Sequence, residues 1–473
     1  MRATPDWGAL QSAIAGDVVL PGSPGYETVR KPAIARFHDV RPQAVVRCAT
    51  PADVSETITF ARRAGLRPAA RSGGHCFAGR SSTEGIVVDV SPMRSVSVSD
   101  GMATVGAGCR LDDVYDALDG HGLTIPAGCG PSVGIAGLTL GGGLGVLGRK
   151  HGLTSDQLLA AQVVLADGRV VECDEHHDED LFWALRGAGG GNFGVVTSLT
   201  FRTIPAPDAT AFHLIWPHTR AAALIGAWQT WAPAAPDELA ASLLLTVSGD
   251  IDRPPVVNVF GAMLGTEADT AELLDELVAR AGADPTSVFS KHASYRETKR
   301  HLAEHGPGDD RLEQASQGLV PRQGHDFSKS EFFGRPLPTE ATATLVESLL
   351  EGRVAGQSRE LDFTPWGGAY NRVPADATAF VHRAELFLLK HAVVVDPDAP
   401  AAERQAARRW LARSWMLVRP WGSGRVYQNF PDPDLEDWEH TYYGANYDRL
   451  VRIKARYDPG DFFRFRQSLP SGR

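Results

Sequence analysis

The chain has 473 residues, 57 acidic against 47 basic side chains, a net charge of −10 and a pI near 5.8. That balance argues against nucleic acid or an anionic membrane as the main partner, and no apolar run reaches the roughly 20 residues that a spanning helix needs. Five cysteines (Cys48, Cys76, Cys109, Cys129, Cys173) are never spaced C-x-x-C, which excludes the usual zinc motifs and disfavours a disulfide framework. Residues 1–22 lack a basic stretch followed by a continuous apolar one. The expectation is a reduced, cytoplasmic protein, long enough to fold around large cores without metal or disulfide staples.

In chain order, residues 44–48 read as a short strand. Pro51-Ala52-Asp53 opens a helix that places Val54, Ile58 and Ala61 on one face and ends at Gly65. Residues 68–71 lead into the loop Ser72-Gly73-Gly74-His75, and residues 86–90 are apolar and β-branched, as in a buried strand. Leu111, Val114, Tyr115 and Leu118 mark a second amphipathic helix, closed near Gly120. Residues 162–165 and 169–173 flank Asp167-Gly168, a hairpin signal. A helix through Leu181-Phe182-Trp183 and a strand over 194–201 complete this block. Beyond Pro205-Ala206-Pro207 the strands lengthen (241–247, 256–263, 384–395) and alternate with helices at 267–280 and 340–351. This suits an antiparallel sheet with helices on one face, and the expected fold class is α+β. Two acidic runs, residues 174–180 and 432–437, read as solvated surface. The first supplies negative charge to a helix N-terminus, and the second lacks the central glycine of a calcium loop. No metal is expected.

Two stretches match G-x-G-x-x-G, at Gly143/Gly145/Gly148 and Gly189/Gly191/Gly194. A nicotinamide-binding unit would need a strand before the motif, a helix after it and an acidic residue about 20 positions on. Neither stretch has that setting. Arg71-Ser72-Gly73-Gly74-His75-Cys76 is more informative, because adjacent glycines let successive N–H groups point into one concavity that suits a pyrophosphate. A second cluster, Gly134-Ile135-Ala136-Gly137-Leu138-Thr139-Leu140-Gly141-Gly142-Gly143, permits close packing on a flat ligand.

Ala49-Thr50-Pro51-Ala52-Asp53-Val54 together with the loop at 71–75 resembles the FAD domain of the vanillyl-alcohol oxidase and p-cresol methylhydroxylase superfamily. Four further motifs resemble its berberine-bridge-enzyme-like branch: Pro126-Ala127-Gly128 through Gly145, Arg149-Lys150-His151-Gly152-Leu153, Gly191-Asn192-Phe193-Gly194-Val195-Val196-Thr197 and Tyr442-Tyr443-Gly444-Ala445-Asn446-Tyr447. The resemblance spans nearly the whole chain. It implies an FAD domain made of residues 1–205 and 419–473, with a substrate domain at 206–418. It implies FAD bonded through His75 and lined by Arg71, Ser72, Gly73, Gly74, Cys76, Val133, Gly134, Gly137, Gly141, Gly142, Val195, Tyr427 and Asn429. A second bond, from a cysteine, is common in the family; that position falls on Gly130, one residue after Cys129, so a single bond is expected. Val133 stands where a small side chain accompanies oxygen reactivity.

The implied activity is hydride transfer from an alcohol, amine or hemiacetal carbon of a small molecule to FAD, with O2 as acceptor and hydrogen peroxide as product. The alternatives are an FAD-linked dehydrogenase with another acceptor, or a flavoprotein without net turnover. The family's base is often a tyrosine in Y-x-N-Y, here Tyr427-Gln428-Asn429-Phe430. Tyr427 is therefore the leading catalytic candidate, as base or as orienting hydroxyl. Leu144 replaces a tyrosine that some members carry. Alternation along 384–395 places Glu385, Phe387, Leu389 and His391 on one face; Leu389 falls where relatives hold Glu or Lys, and His391 is the second candidate base. Trp366-Gly367-Gly368 reads as packing.

Overall fold

Three short strands, Ala44–Arg47, Ile86–Asp89 and Pro68–Arg71, pair in parallel in that spatial order, and Asp17–Val19 adds antiparallel to the first. The computed structural model describes residues 5–304 and 324–472. Parallel pairing needs a crossover, supplied by the helix Pro51–Ala64, whose start and stop are local chemistry. Thr50 accepts the Asp53 N–H, Asp53 accepts back from the Thr50 N–H, and Gly65 closes the helix at φ 66°. Thr50→Ala is expected to cost about 1 kcal/mol of stability, read by chemical denaturation.

An antiparallel sheet follows, in the order Val96–Ser99, Met102–Gly106, Gly194–Arg202, Leu158–Leu165 and Val170–Asp174. Its last two strands form the hairpin expected at Asp167-Gly168, where Gly168 has φ 88°. The helix Leu111–Asp119 buries Leu111, Val114, Tyr115 and Leu118, the face that the sequence marks.

The second half is a seven-stranded antiparallel sheet, ordered Ser287–Ser294, Asp208–Pro217, Val256–Met263, Leu239–Val247, Gln357–Pro365, Phe387–Val395 and His325–Phe333. Helices Ala221–Trp231, Glu267–Ala281, Thr339–Leu350 and Ala401–Val418 bury their apolar sides against one face, making a core of their own. After residue 418 the chain returns to the first core, contributing Val426, Tyr442, Tyr443, Leu450, Ile453 and Leu469. The fold is α+β, and no helix among the described residues is long and apolar enough to cross a membrane.

The acidic run at 432–437 is not all surface. Asp432 is buried and ion-paired with Lys329 of the seven-stranded sheet, so it staples the two halves. In the C-terminal part, Lys454 is fully buried and donates to Asp458 Oδ2 (2.7 Å) and to the carbonyls of Asn192 (2.7 Å) and Phe463 (2.8 Å).

Candidate active site and cofactor cleft

A cavity of about 450 Å³ lies between the two cores, walled by the loop after Pro68–Arg71, the helix Ile135–Leu140, the 427–431 turn and the face of the seven-stranded sheet opposite those four helices. The two glycine clusters of the sequence meet in its wall. A Cβ on Gly73 would fall 2.3 Å from the Gly134 nitrogen, and one on Gly134 2.3 Å from the Gly73 nitrogen, so only glycine allows this approach. Gly74, at φ 74°, turns the chain so that His75 lines the cavity, with Nε2 3.1 Å from Ser132 Oγ. Ser72 Oγ donates to the Ala107 carbonyl at 2.6 Å and anchors the loop. Arg71 lines the cavity, yet its guanidinium donates to the carbonyls of Val29, Arg30 and Ser81, so it braces the loop from behind.

Cys76, Cys129, Val133, Gly134, Gly137, Val195, Tyr427 and Asn429 also line the cavity. Gly141 and Gly142 do not. Gly141 makes room for Asn429, whose Oδ1 would stand 2.2 Å from a Cβ there, and Gly142 lies under Phe380. Asn429 Nδ2 donates to the Leu138 carbonyl (2.8 Å) and to the Tyr427 hydroxyl (3.1 Å), which also accepts the Gly143 N–H (3.0 Å). Burial pushes the Tyr427 phenol up to about 12 even though these donors pull it down. At neutral pH Tyr427 is thus a phenol that can donate, and the role of base does not suit it.

His391 faces away from the cavity. It is fully buried on the helix side, Nδ1 lies 2.9 Å from Ser414 Oγ, and burial lowers its pKa to about 3. Leu389 shares that side, within the second core. The residue between them, Lys390, is the one that lines the cavity. Its Nζ donates to Asp362 Oδ2 at 3.0 Å from the directly opposed position of the neighbouring strand. Lys390 also lies 5.4 Å from the Phe430 ring centroid. Phe387, Leu389 and His391 do share a face, as alternation requires, but that face meets the helices, and the opposite one, carrying Lys390, meets the cavity. Asp362 has no motif around it to mark it in the sequence. Gly189, Gly190 and Gly191 line the cavity too, although Gly191 precedes no helix and Gly194 opens a strand. Trp366 is packing, as expected, stacked 4.3 Å from Tyr370.

Glu331 holds the connector that leads to Tyr427, accepting the Gly424 N–H at 2.8 Å. Burial raises its pKa from 4.5 to about 7 against the opposing pull of Arg419. The folded state therefore holds this proton more tightly than the unfolded chain. Its stabilising contribution is complete below about pH 4.5 and lost as pH rises through about 7. Glu331→Gln, which keeps an acceptor, is expected to flatten that decline and to gain about 2–3 kcal/mol above pH 7, measured by denaturation at pH 5 and pH 8.

Residues 42–174 match the family model described as FAD binding domain, and residues 426–470 match the one described as Berberine and berberine like. The chain is 36% identical to the uncharacterized FAD-linked oxidoreductase YvdP of Bacillus subtilis (strain 168), over 97% of this chain and 99% of that protein. It is 30% identical to a chitooligosaccharide oxidase of Gibberella zeae, over 90% and 87% of the two chains. The solved structure of Physcomitrella patens BBE-like 1 superposes with a TM-score of 0.88 at 28% identity, covering 99% of each chain. The site and these likenesses define an FAD-linked oxidoreductase. The chain belongs to the berberine-bridge-enzyme-like family, with the p-cresol methylhydroxylase type of FAD domain. The cleft fits that cofactor: at Gly137 and Gly189, both in its wall, a Cβ would meet nothing within 4 Å, leaving room for a flat group.

Proposed function

We propose that this protein is an oxidase that carries FAD covalently through His75 and oxidises a carbon bearing O–H or N–H in a small, sugar-like or natural-product molecule, passing the electrons to O2 and releasing hydrogen peroxide. One observation carries the reading: His75 and the Asp362–Lys390 pair line opposite walls of one cavity, the first on the FAD-binding half and the second on the seven-stranded sheet. When bound, FAD supplies the hydride acceptor. The side chains handle the proton. Asp362 is the carboxylate lining the cavity and is placed to take the proton of the substrate O–H or N–H. Lys390 donates to it and stands where negative charge develops on the substrate heteroatom. Tyr427 orients the substrate as a donor, while Phe260, Leu302 and Phe430 wall the cavity with apolar surface.

The family's implied chemistry supports single attachment, since glycine occupies position 130, and supports oxygen as acceptor through Val133. The chitooligosaccharide oxidase relative favours polyhydroxylated substrates. The test is an anaerobic screen of sugars, amines and aromatic alcohols for bleaching of the flavin absorbance, followed by admission of air. Bleaching reversed by air with peroxide release is the expected result. Bleaching that air does not reverse assigns a dehydrogenase, and no bleaching by any compound assigns a flavoprotein without net turnover.

A further inference from the structure

The helix Tyr295–Glu304 drives a lysine into the seam between the two halves. Lys299 is 2% exposed, and its Nζ donates to the carbonyls of Gly128 (2.6 Å) and Ala127 (3.1 Å) and to Cys129 Sγ (3.6 Å). It also stands 4.5 Å from the centroid of the Tyr115 ring and 5.7 Å from that of Tyr295. Among the described residues no carboxylate reaches it. Burial lowers its pKa, and so does the like charge of Arg296, a cation engaged by Asp112 and Asp116. A buried ammonium without a counter-charge is costly. Tyr115 and Tyr295 do not supply the charge, because burial pushes both phenols far up. The side-chain acceptor beside Nζ is Cys129 Sγ, half-buried in the cavity wall.

We propose that Cys129, held by the buried Lys299 Nζ, is the reactive thiol of the cavity and the site at which hydrogen peroxide modifies this protein. The thiolate is the nucleophile, and the Lys299 N–H aimed at Sγ stabilises it as the ammonium stands beside it. Cys129 Sγ attacks one peroxide oxygen: the S–O bond forms, the O–O bond breaks, and hydroxide leaves. Lys299 gives that hydroxide a proton, so the products are a sulfenic acid at Cys129, one water and a neutral lysine. Sulfur is oxidised by two electrons and peroxide is reduced by two. The oxidase reading provides an internal source of peroxide, but the site itself does not depend on it.

The other cysteines are internal controls. Burial pushes the thiols of Cys48, Cys109 and Cys173 up to about 12, 11 and 12, leaving them inert. Cys76 shares the cavity without a lysine; the cation facing it, Arg36, donates to the Phe77 and Asp326 carbonyls.

The experiment adds hydrogen peroxide to the flavin-loaded protein, traps sulfenic acid with dimedone and locates the adduct by peptide mass spectrometry. Cys129 is expected to label at least about tenfold faster than Cys76, and Lys299→Met is expected to slow it about tenfold while Lys299→Arg keeps it fast. Added peroxide makes the outcome independent of whether the enzyme is an oxidase. A second measurement needs no variant. Iodoacetamide at neutral pH should alkylate Cys129 in the native protein about tenfold faster than Cys76. Dimedone labelling or alkylation of Cys129 no faster than that of Cys76, or a flavin found bonded to the Cys129 peptide, would each overturn the proposal.

Discussion

His75→Ala should free the flavin. Acid precipitation of the purified wild-type protein is expected to leave the yellow colour in the pellet, and precipitation of the variant to move it into the supernatant. The reason lies in the wall that His75 occupies. Gly73 and Gly134 lock two backbone segments together at a distance no other residue tolerates, and Gly74 turns the imidazole into the cleft. The variant keeps both glycine contacts, so it should still bind FAD, now by non-covalent contacts alone. Turnover is expected to fall about tenfold or more, since a tethered ring is held in register and a free one is not. Colour leaving both pellets would remove the covalent bond from the proposal while leaving the family assignment intact.

Lys390→Met and Asp362→Asn should each lower kcat by about 10²–10⁴, the span of general acid–base catalysis, with flavin content unchanged. The proper readout is the rate of anaerobic flavin bleaching by substrate, which isolates the oxidation step from reoxidation. Because the two side chains are joined at 3.0 Å and in the proposed reaction act on one proton, the double variant should be scarcely slower than either single one. Multiplying losses would show that the residues act separately. Wild-type bleaching in Asp362→Asn would move the proton acceptor elsewhere in the cavity. Tyr427 would be a weak replacement, since burial holds its phenol near 12.

Much of the first half was legible in the sequence because its signals are local. A capping threonine, a helix-ending glycine, a β-branched run and an Asp-Gly turn each act within a few residues, and the structure places the corresponding elements within a residue or two of their expected bounds, except that the first hairpin strand begins four residues earlier, at Leu158. The seven-stranded sheet was harder to read. Gln357–Pro365 and His325–Phe333 bury charged residues along their length: Arg359 donates to the carbonyls of Leu349, Glu351 and Gly352, and Lys329 pairs with Asp432. Their partners lie outside the strands themselves, so the alternation of apolar and polar residues that announces a strand is broken.

The sequence by itself determined the family, the glycine loops and the histidine they present, because close backbone approach and φ > 0 can be met by very few residue types. Only the tertiary structure decided which residues face that histidine. Strand alternation offers two faces and no local rule says which one lies over a cofactor, so Lys390 could be told from His391 only once helix Ala401–Val418 had covered one side. Asp362 and Lys299 became visible in the same way. Each is an unremarkable residue in its own segment, and each acquires its chemistry from a group brought alongside by folding: Lys390 for the first, and Cys129, 170 residues away in the chain, for the second.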